Sequence, residues 1–258
     1  MTTGKQTPKR RICLMDEVRG FAVLCMVLHH AMYSVGYLYG IEWGQRLYDF
    51  FGILSPLFAG LFVMISGVAS QLSRNNLLRG VKLLAVALGM TLVTGLAMPS
   101  QIIRFGVLHM LAVCMIVFGL VQKPLKRVPL GMGLSVCTVC FVLTAGLHLA
   151  EIPYVGVPFV PQLQVCAYHP AGVWLFPLGI RDLSFFSSDY YPILPWIFAF
   201  FAGGLLGRFA AQGRLPEWVY PARVPFFSWI GKHALWIYIL HQPVLMGIMS
   251  ALQWIFGF

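Results

Sequence analysis

Long apolar runs alternate with short polar segments along the whole chain. Seven runs, over 18–39, 50–72, 78–97, 103–121, 128–150, 190–210 and 230–254, are each near the roughly 20 residues that an α-helix needs to cross a bilayer. The pattern predicts an all-α, polytopic membrane protein, read as one domain over 1–258. A cytoplasmic tail over 1–15 precedes the first run, and a long external connection over 151–189 separates the fifth from the sixth. That connection carries Pro153, Pro158, Pro161, Pro170 and Pro177 among several aromatics. Its apolar Val173, Trp174, Leu175 and Phe176 predict a loop folded back onto the helix ends. The first run is long and studded with polar residues, and no small-residue cleavage site follows it, so no cleavable signal peptide is expected.

Composition agrees with this pattern. Of 258 residues, 59% are hydrophobic and 10% charged, where a soluble domain carries about 25% charged residues. The mean hydropathy is +0.80. The net charge of +10 resembles that of a nucleic-acid binder, but the basic residues lie in short loops between apolar runs, which is the signature of topology and lipid contact. With the N-terminus inside, fifteen of the eighteen Lys and Arg side chains share one side, and only Arg46, Arg104 and Arg181 fall on the other. This asymmetry predicts a cytoplasmic N-terminus and, after seven spans, an external C-terminus. Five of the six cysteines, Cys166 being in the long connection, lie in or beside apolar runs and read as small hydrophobes. Cys137 and Cys140 have redox or zinc spacing but lack a second pair, so no metal site is expected.

Ionisable residues inside membrane spans are costly and by default mark a site or a pathway. The first run opens with Asp16 and Arg19 and reaches His29 and His30. At about 100° per residue, His30 lies within about 20° of Arg19 and 40° of Asp16, with Ser34 on the same stripe, whereas His29 points away. Asp16 and Arg19 also have the spacing of a structural ion pair. His109 falls about 7 Å deeper than Arg104 in the fourth run, and His241 about 14 Å beyond Lys232 in the seventh. Gln242 follows His241, and Pro243 removes a backbone donor and frees the Ile239 carbonyl. Asp189 and Tyr191 stand at the outer start of the sixth run. A second polar collection, Ser66, Ser70, Ser73, Arg74, Asn75 and Arg79, lies along and beyond the cytoplasmic end of the second, where guanidinium forks suit phosphates. Gly203, Gly204 and Gly207 form a small-residue face for close helix approach.

Several blocks carry a family resemblance. Asp16-x-x-Arg19-Gly20, followed by an apolar run and a His, resembles the first helix of transmembrane acyltransferases, including those that O-acetylate bacterial surface sugars. The closer resemblance is to bacterial relatives of the heparan-alpha-glucosaminide N-acetyltransferase catalytic domain. It rests on Ile65-Ser66-Gly67 through Ser73-Arg74-Asn75-Asn76-Leu77-Leu78-Arg79-Gly80, Ile103-Arg104-Phe105-Gly106-Val107-Leu108-His109, Asp189-Tyr190-Tyr191-Pro192-Ile193-Leu194-Pro195-Trp196, and Trp229-Ile230-Gly231-Lys232-His233 with His241-Gln242-Pro243. In the lysosomal branch the active His lies in the loop after the first helix. Residues 31–50 here contain no His, although Glu42-Trp43-Gly44 resembles the surrounding text, and His30 instead matches the broader O-acyltransferase pattern.

The resemblance implies acyl transfer from cytoplasmic acetyl-CoA to a carbohydrate-like amine or hydroxyl at the external face of a bacterial cytoplasmic membrane. Membrane lipid, acetyl-CoA and the acceptor are then the partners, nucleic acid is not, and a homo-oligomer is left open. His30 stands as base or as transient acyl carrier. Arg104, His109 and Tyr191 are candidates for orienting the acceptor or stabilising the oxyanion, with His241, Gln242 and Asp189 lining the same cavity. Arg19, Ser66, Ser70, Ser73, Arg74, Asn75 and Arg79 would hold the donor. The competing expectation is a transporter or flippase with a histidine-lined polar pathway, which midplane histidines and a Pro-interrupted helix also suit.

Overall fold

A computed structural model of the protein describes residues 10–157, 163–165, 172–182 and 184–256. Lys5, Pro8, Lys9, Pro158, Pro161, Cys166, Pro170 and the side chain of Val173 lie outside the described residues. In chain order the elements are α1 (Cys13–Tyr33), running into a π-type turn at Ser34–Leu38, α2 (Glu42–Leu72), α3 (Asn76–Ala97), α4 (Val107–Leu125), α5 (Leu130–Thr144) and α6 (Gly146–Leu149). A two-stranded antiparallel pair, β1 (Tyr154–Val155) and β2 (Leu163–Gln164), follows, then α7 (Gly172–Leu175), α8 (Ile193–Ala211), α9 (Pro225–Lys232) and α10 (Ala234–Phe256). Among the described residues, seven segments are long and apolar enough to cross a membrane: Cys13–Leu38, Glu42–Leu72, Asn76–Ala97, Val107–Leu125, Leu130–Leu149, Ile193–Ala211 and Ala234–Ile255. Each overlaps one of the seven predicted runs, with ends shifted by up to eight residues, the second span starting at Glu42 and not at 50. Their outward faces are apolar, with Ile53 80% and Leu96 77% exposed, which fits contact with lipid tails.

The chain divides into two compact units. The first comprises Met1–Phe62 with Leu215–Phe258, and so holds α1, most of α2, α9 and α10. Here α1 packs closely on α9. A methyl group at Gly20 would overlap the Phe227 carbonyl, and one at Gly231 would overlap the Asp16 carbonyl, so only glycine permits this approach. Beyond it Val23, Ile230 and Ala234 form a small apolar core with Leu24, Val27, Phe62 and Ile237 around it. The helix begins earlier than predicted because its acids have partners. Asp16 accepts from Arg11 Nε at 2.7 Å and from Arg19 at 3.4 Å. The Asp16 bond also raises the Arg11 guanidinium pKa further. Glu17 Oε1 accepts the backbone N–H groups of Arg223 at 2.6 Å and Val224 at 2.9 Å, which caps the start of α9. The seventh run begins later than predicted, because the backbone leaves helical geometry at His233 and divides α9 from α10.

The second unit comprises Val63–Arg214. Its centre is α4, half of whose span is buried, with Met110, Cys114 and Phe118 fully enclosed. Phe118 meets Phe200 edge-on at 5.9 Å. The glycine face of α8 does what its spacing predicts: Gly203 lies against the Met64 carbonyl and, reciprocally, Gly67 against that of Phe200. α3 starts at Asn75, whose Oδ1 accepts the Leu78 N–H at 2.9 Å, a side-chain N-cap. Arg208 on α8 donates to the carbonyls of Val128, at 2.7 Å, and Leu125, closing the turn between α4 and α5. The long connection does fold back on helix ends, through Phe176 as predicted but not through Trp174. Phe176 stacks on Phe185 at 5.0 Å and receives the Tyr190 hydroxyl on its carbonyl at 2.6 Å, while Trp174 is 81% exposed.

Candidate active site

In the first unit, α1 and α10 bring His30 and His241 together, their rings edge to face with centroids 5.0 Å apart. His241 Nδ1 lies 2.7 Å from the Tyr238 carbonyl oxygen. A carbonyl has no proton to give, so Nδ1 carries it and Nε2 keeps its lone pair. That Nε2 is buried and has no hydrogen-bond partner among the described residues. Gln242, the next residue, donates from Nε2 to Ser34 Oγ at 3.3 Å, and its Oε1 is also buried without a partner. Ser34 in turn donates to the His30 carbonyl at 3.0 Å. His29 stacks on Tyr48 at 4.4 Å, and its Nδ1 is a third buried atom without a partner. The arrangement is a nitrogen base and a carbonyl acceptor, both buried, on a helix long and apolar enough to cross a membrane, with a second imidazole beside the base. Such a group can receive an N–H or O–H donor and take its proton.

The second unit holds His109 and His148, and both are fully engaged. His109 Nδ1 accepts the Gly106 N–H at 3.2 Å, at the first turn of its own helix α4. The neutral ring then has its proton on Nε2, facing Thr91 Oγ1 at 3.2 Å. Asp189, buried, completes the same helix start by accepting the Val107 N–H on Oδ2 at 3.2 Å. His148 donates from Nε2 to the Tyr190 carbonyl at 2.8 Å and accepts the Trp196 indole N–H on Nδ1 at 3.0 Å. Tyr191 donates its N–H to the Phe105 carbonyl at 3.0 Å and holds its ring 4.9 Å from that of His148. Burial pushes the Tyr190 phenol pKa up. Arg104 is exposed, with its guanidinium 5.7 Å over the Phe185 ring.

At the other polar collection, in the same unit, Ser66 and Ser70 are buried and Asn76 donates to the Ser70 carbonyl at 2.8 Å. Ser70 Oγ and Asn76 Oδ1 lack partners among the described residues. Ser73 donates its N–H to the Ser70 carbonyl at 3.2 Å, and Asn75 is occupied as the α3 cap. Arg74 and Arg79 are exposed and make no ion pair among the described residues. Arg19 belongs to the first unit, held by Asp16. The structure thus joins His30, His241, Gln242 and Ser34 in one place and Arg104, His109, Asp189 and Tyr191 around another. Among the described residues, no three His, Cys, Asp or Glu side chains converge as metal ligands.

Sequence reasoning missed His148, the Glu17 cap and the Arg208 clamp. His148 was detectable as a lone imidazole in the apolar run 128–150. Its partners Tyr190 and Trp196 are more than forty residues away, and no periodicity links them.

Compared with known proteins, residues 11–243 match a family model described as heparan-alpha-glucosaminide N-acetyltransferase, catalytic. No curated protein and no solved structure matches the chain.

Proposed function

Because the chain belongs to the heparan-alpha-glucosaminide N-acetyltransferase catalytic family and is a multi-pass membrane transferase, we propose that it moves an acetyl group from cytoplasmic acetyl-CoA to a sugar amine or hydroxyl at the external face of a bacterial cytoplasmic membrane. The observation that carries the reading is the free Nε2 of His241, its tautomer set by the Tyr238 carbonyl, beside the ring of His30.

In this mechanism the acceptor N–H or O–H is received by His241 Nε2, with the Gln242 carbonyl as a second acceptor. As the acceptor atom bonds to the thioester carbonyl carbon, its proton passes to the imidazole. The carbon–sulfur bond then breaks, and the imidazolium returns the proton to the departing thiolate, giving acetylated acceptor and CoA. His30 is the neighbouring base or a transient acyl carrier. In the second unit His109 and Asp189 act by holding the start of α4. Exposed Arg74 and Arg79, near Ser70 and Ser73, suit the CoA phosphates, because guanidinium forks match phosphate oxygens.

The test is transfer of labelled acetyl from acetyl-CoA to D-glucosamine by purified protein. The wild type is expected to turn over, and Arg74→Ala with Arg79→Ala to raise the acetyl-CoA KM while leaving the acceptor KM unchanged. Saturable proton-coupled uptake by vesicles without acetyl-CoA binding would contradict the enzyme and favour a carrier.

A further inference from the structure

Ser34 is fully buried where α1 gives way to the π-type turn Ser34–Leu38. Such turns concentrate at functional sites. A serine hydroxyl has one proton and two lone pairs. Here the proton goes to the His30 carbonyl, 3.0 Å away, so toward α10 the oxygen is only an acceptor. The Gln242 atom at 3.3 Å is therefore the amide nitrogen, donating. The reversed amide would set two oxygens against each other with no proton between them. Ser34 thus dictates the polarity of the other arm of Gln242, which is the bare, buried carbonyl Oε1. One turn earlier on α1, and one residue earlier on α10, His30 and His241 make their own cross-helix contact. A hydroxyl that touches no substrate therefore sets the hydrogen-bonding character of the residue beside the base.

We infer that Ser34 is a positioning residue for the acyl acceptor, holding Gln242 so that its carbonyl receives an acceptor N–H or O–H. The inference rests on the reading that His241 and Gln242 face the acceptor. It does not extend to the donor.

The experiment is a double-mutant cycle on the purified full chain, with acetyl-CoA as donor and D-glucosamine as acceptor. Ser34→Ala is expected to raise the glucosamine KM about tenfold while kcat and the acetyl-CoA KM stay within about twofold, the pattern of lost acceptor binding. Ser34→Thr, which keeps the hydroxyl, is expected to restore the wild-type KM. In a Gln242→Leu background Ser34→Ala is expected to add nothing, because the residue it acts through is gone. An undiminished effect of Ser34→Ala in that background, or an equal fall in every parameter, would make Ser34 a mere link between helices and overturn the inference. If Ser34→Ala does not fold, Ser34→Cys, similar in shape but a much weaker acceptor and donor, is read against the same pattern. A wild type with no transfer removes the enzymatic reading and this inference together, and an active wild type indifferent to Ser34→Ala removes the inference alone.

Discussion

His241 and His109 both sit on helices long and apolar enough to cross a membrane, and from spacing alone look alike. Their hydrogen bonds separate them. One nitrogen of His241 is tied to a backbone carbonyl and the other is bare, whereas His109 is tied at both, to the Gly106 N–H and to Thr91. The same contrast divides their neighbours. His30 meets the His241 ring at a steep angle, while His148 is clasped between the Tyr190 carbonyl and the Trp196 indole. An imidazole in lipid surroundings must satisfy its polar atoms or keep one for a ligand. The second unit uses its histidines as internal fasteners, and the first leaves a lone pair open.

The largest effect expected from this contrast is on turnover. His241→Ala should lower acetyl transfer by about 10²–10⁴-fold, the usual worth of a positioned acid–base group, and should leave the protein folded. His30→Ala should fall in the same class. Monodisperse elution with lost turnover checks both, and retained turnover in His241→Ala would break the contrast. His148→Ala should do the reverse. It strands the buried Trp196 N–H and the Tyr190 carbonyl, so stability should drop by about 1–3 kcal/mol while the folded fraction keeps its kcat. Thermal unfolding in detergent, beside turnover, reads both halves. His109→Ala removes a helix-start acceptor and should cost about 0.5–2 kcal/mol, again without loss of kcat in the folded fraction. The smallest effect belongs to Tyr190→Phe, about 1 kcal/mol for the lost bond to Phe176. Burial raises the folded-state pKa of this phenol, so its contribution is whole below the ordinary phenol value of about 10 and declines as pH rises toward the folded one. Unfolding profiles between neutral and alkaline pH should be flatter for the variant than for the wild type.

The seven spans were legible because apolar runs of bilayer length are a local signal. The ends of those spans were less so, because distant residues set them. Glu17 caps α9 from across some two hundred residues, and Asp189 caps α4 from more than eighty. Neither partner lies within a window that periodicity can scan. The stripe joining Asp16, Arg19 and His30 could be read from 100° steps, but whether an imidazole keeps a lone pair depends on its partners. For His241 that partner is a carbonyl three residues back, so local geometry decides it. For His148 it is an indole on another helix. Two blocks that carry the family resemblance also serve packing: Gly20 and Gly231 each sit where a side chain would strike a backbone carbonyl. The family pattern and helix crossing thus draw on the same short motifs, and sequence alone does not part them.

The most direct measurement is ¹⁵N NMR of histidine-labelled protein, with ring nitrogens assigned by single His→Gln variants, before and after adding D-glucosamine. His241 is expected to show a protonated Nδ1 and a bare Nε2 whose resonance moves with the acceptor, while His109 and His148 do not respond. A His241 signal indifferent to the acceptor, or one with the proton on Nε2, would contradict this reading.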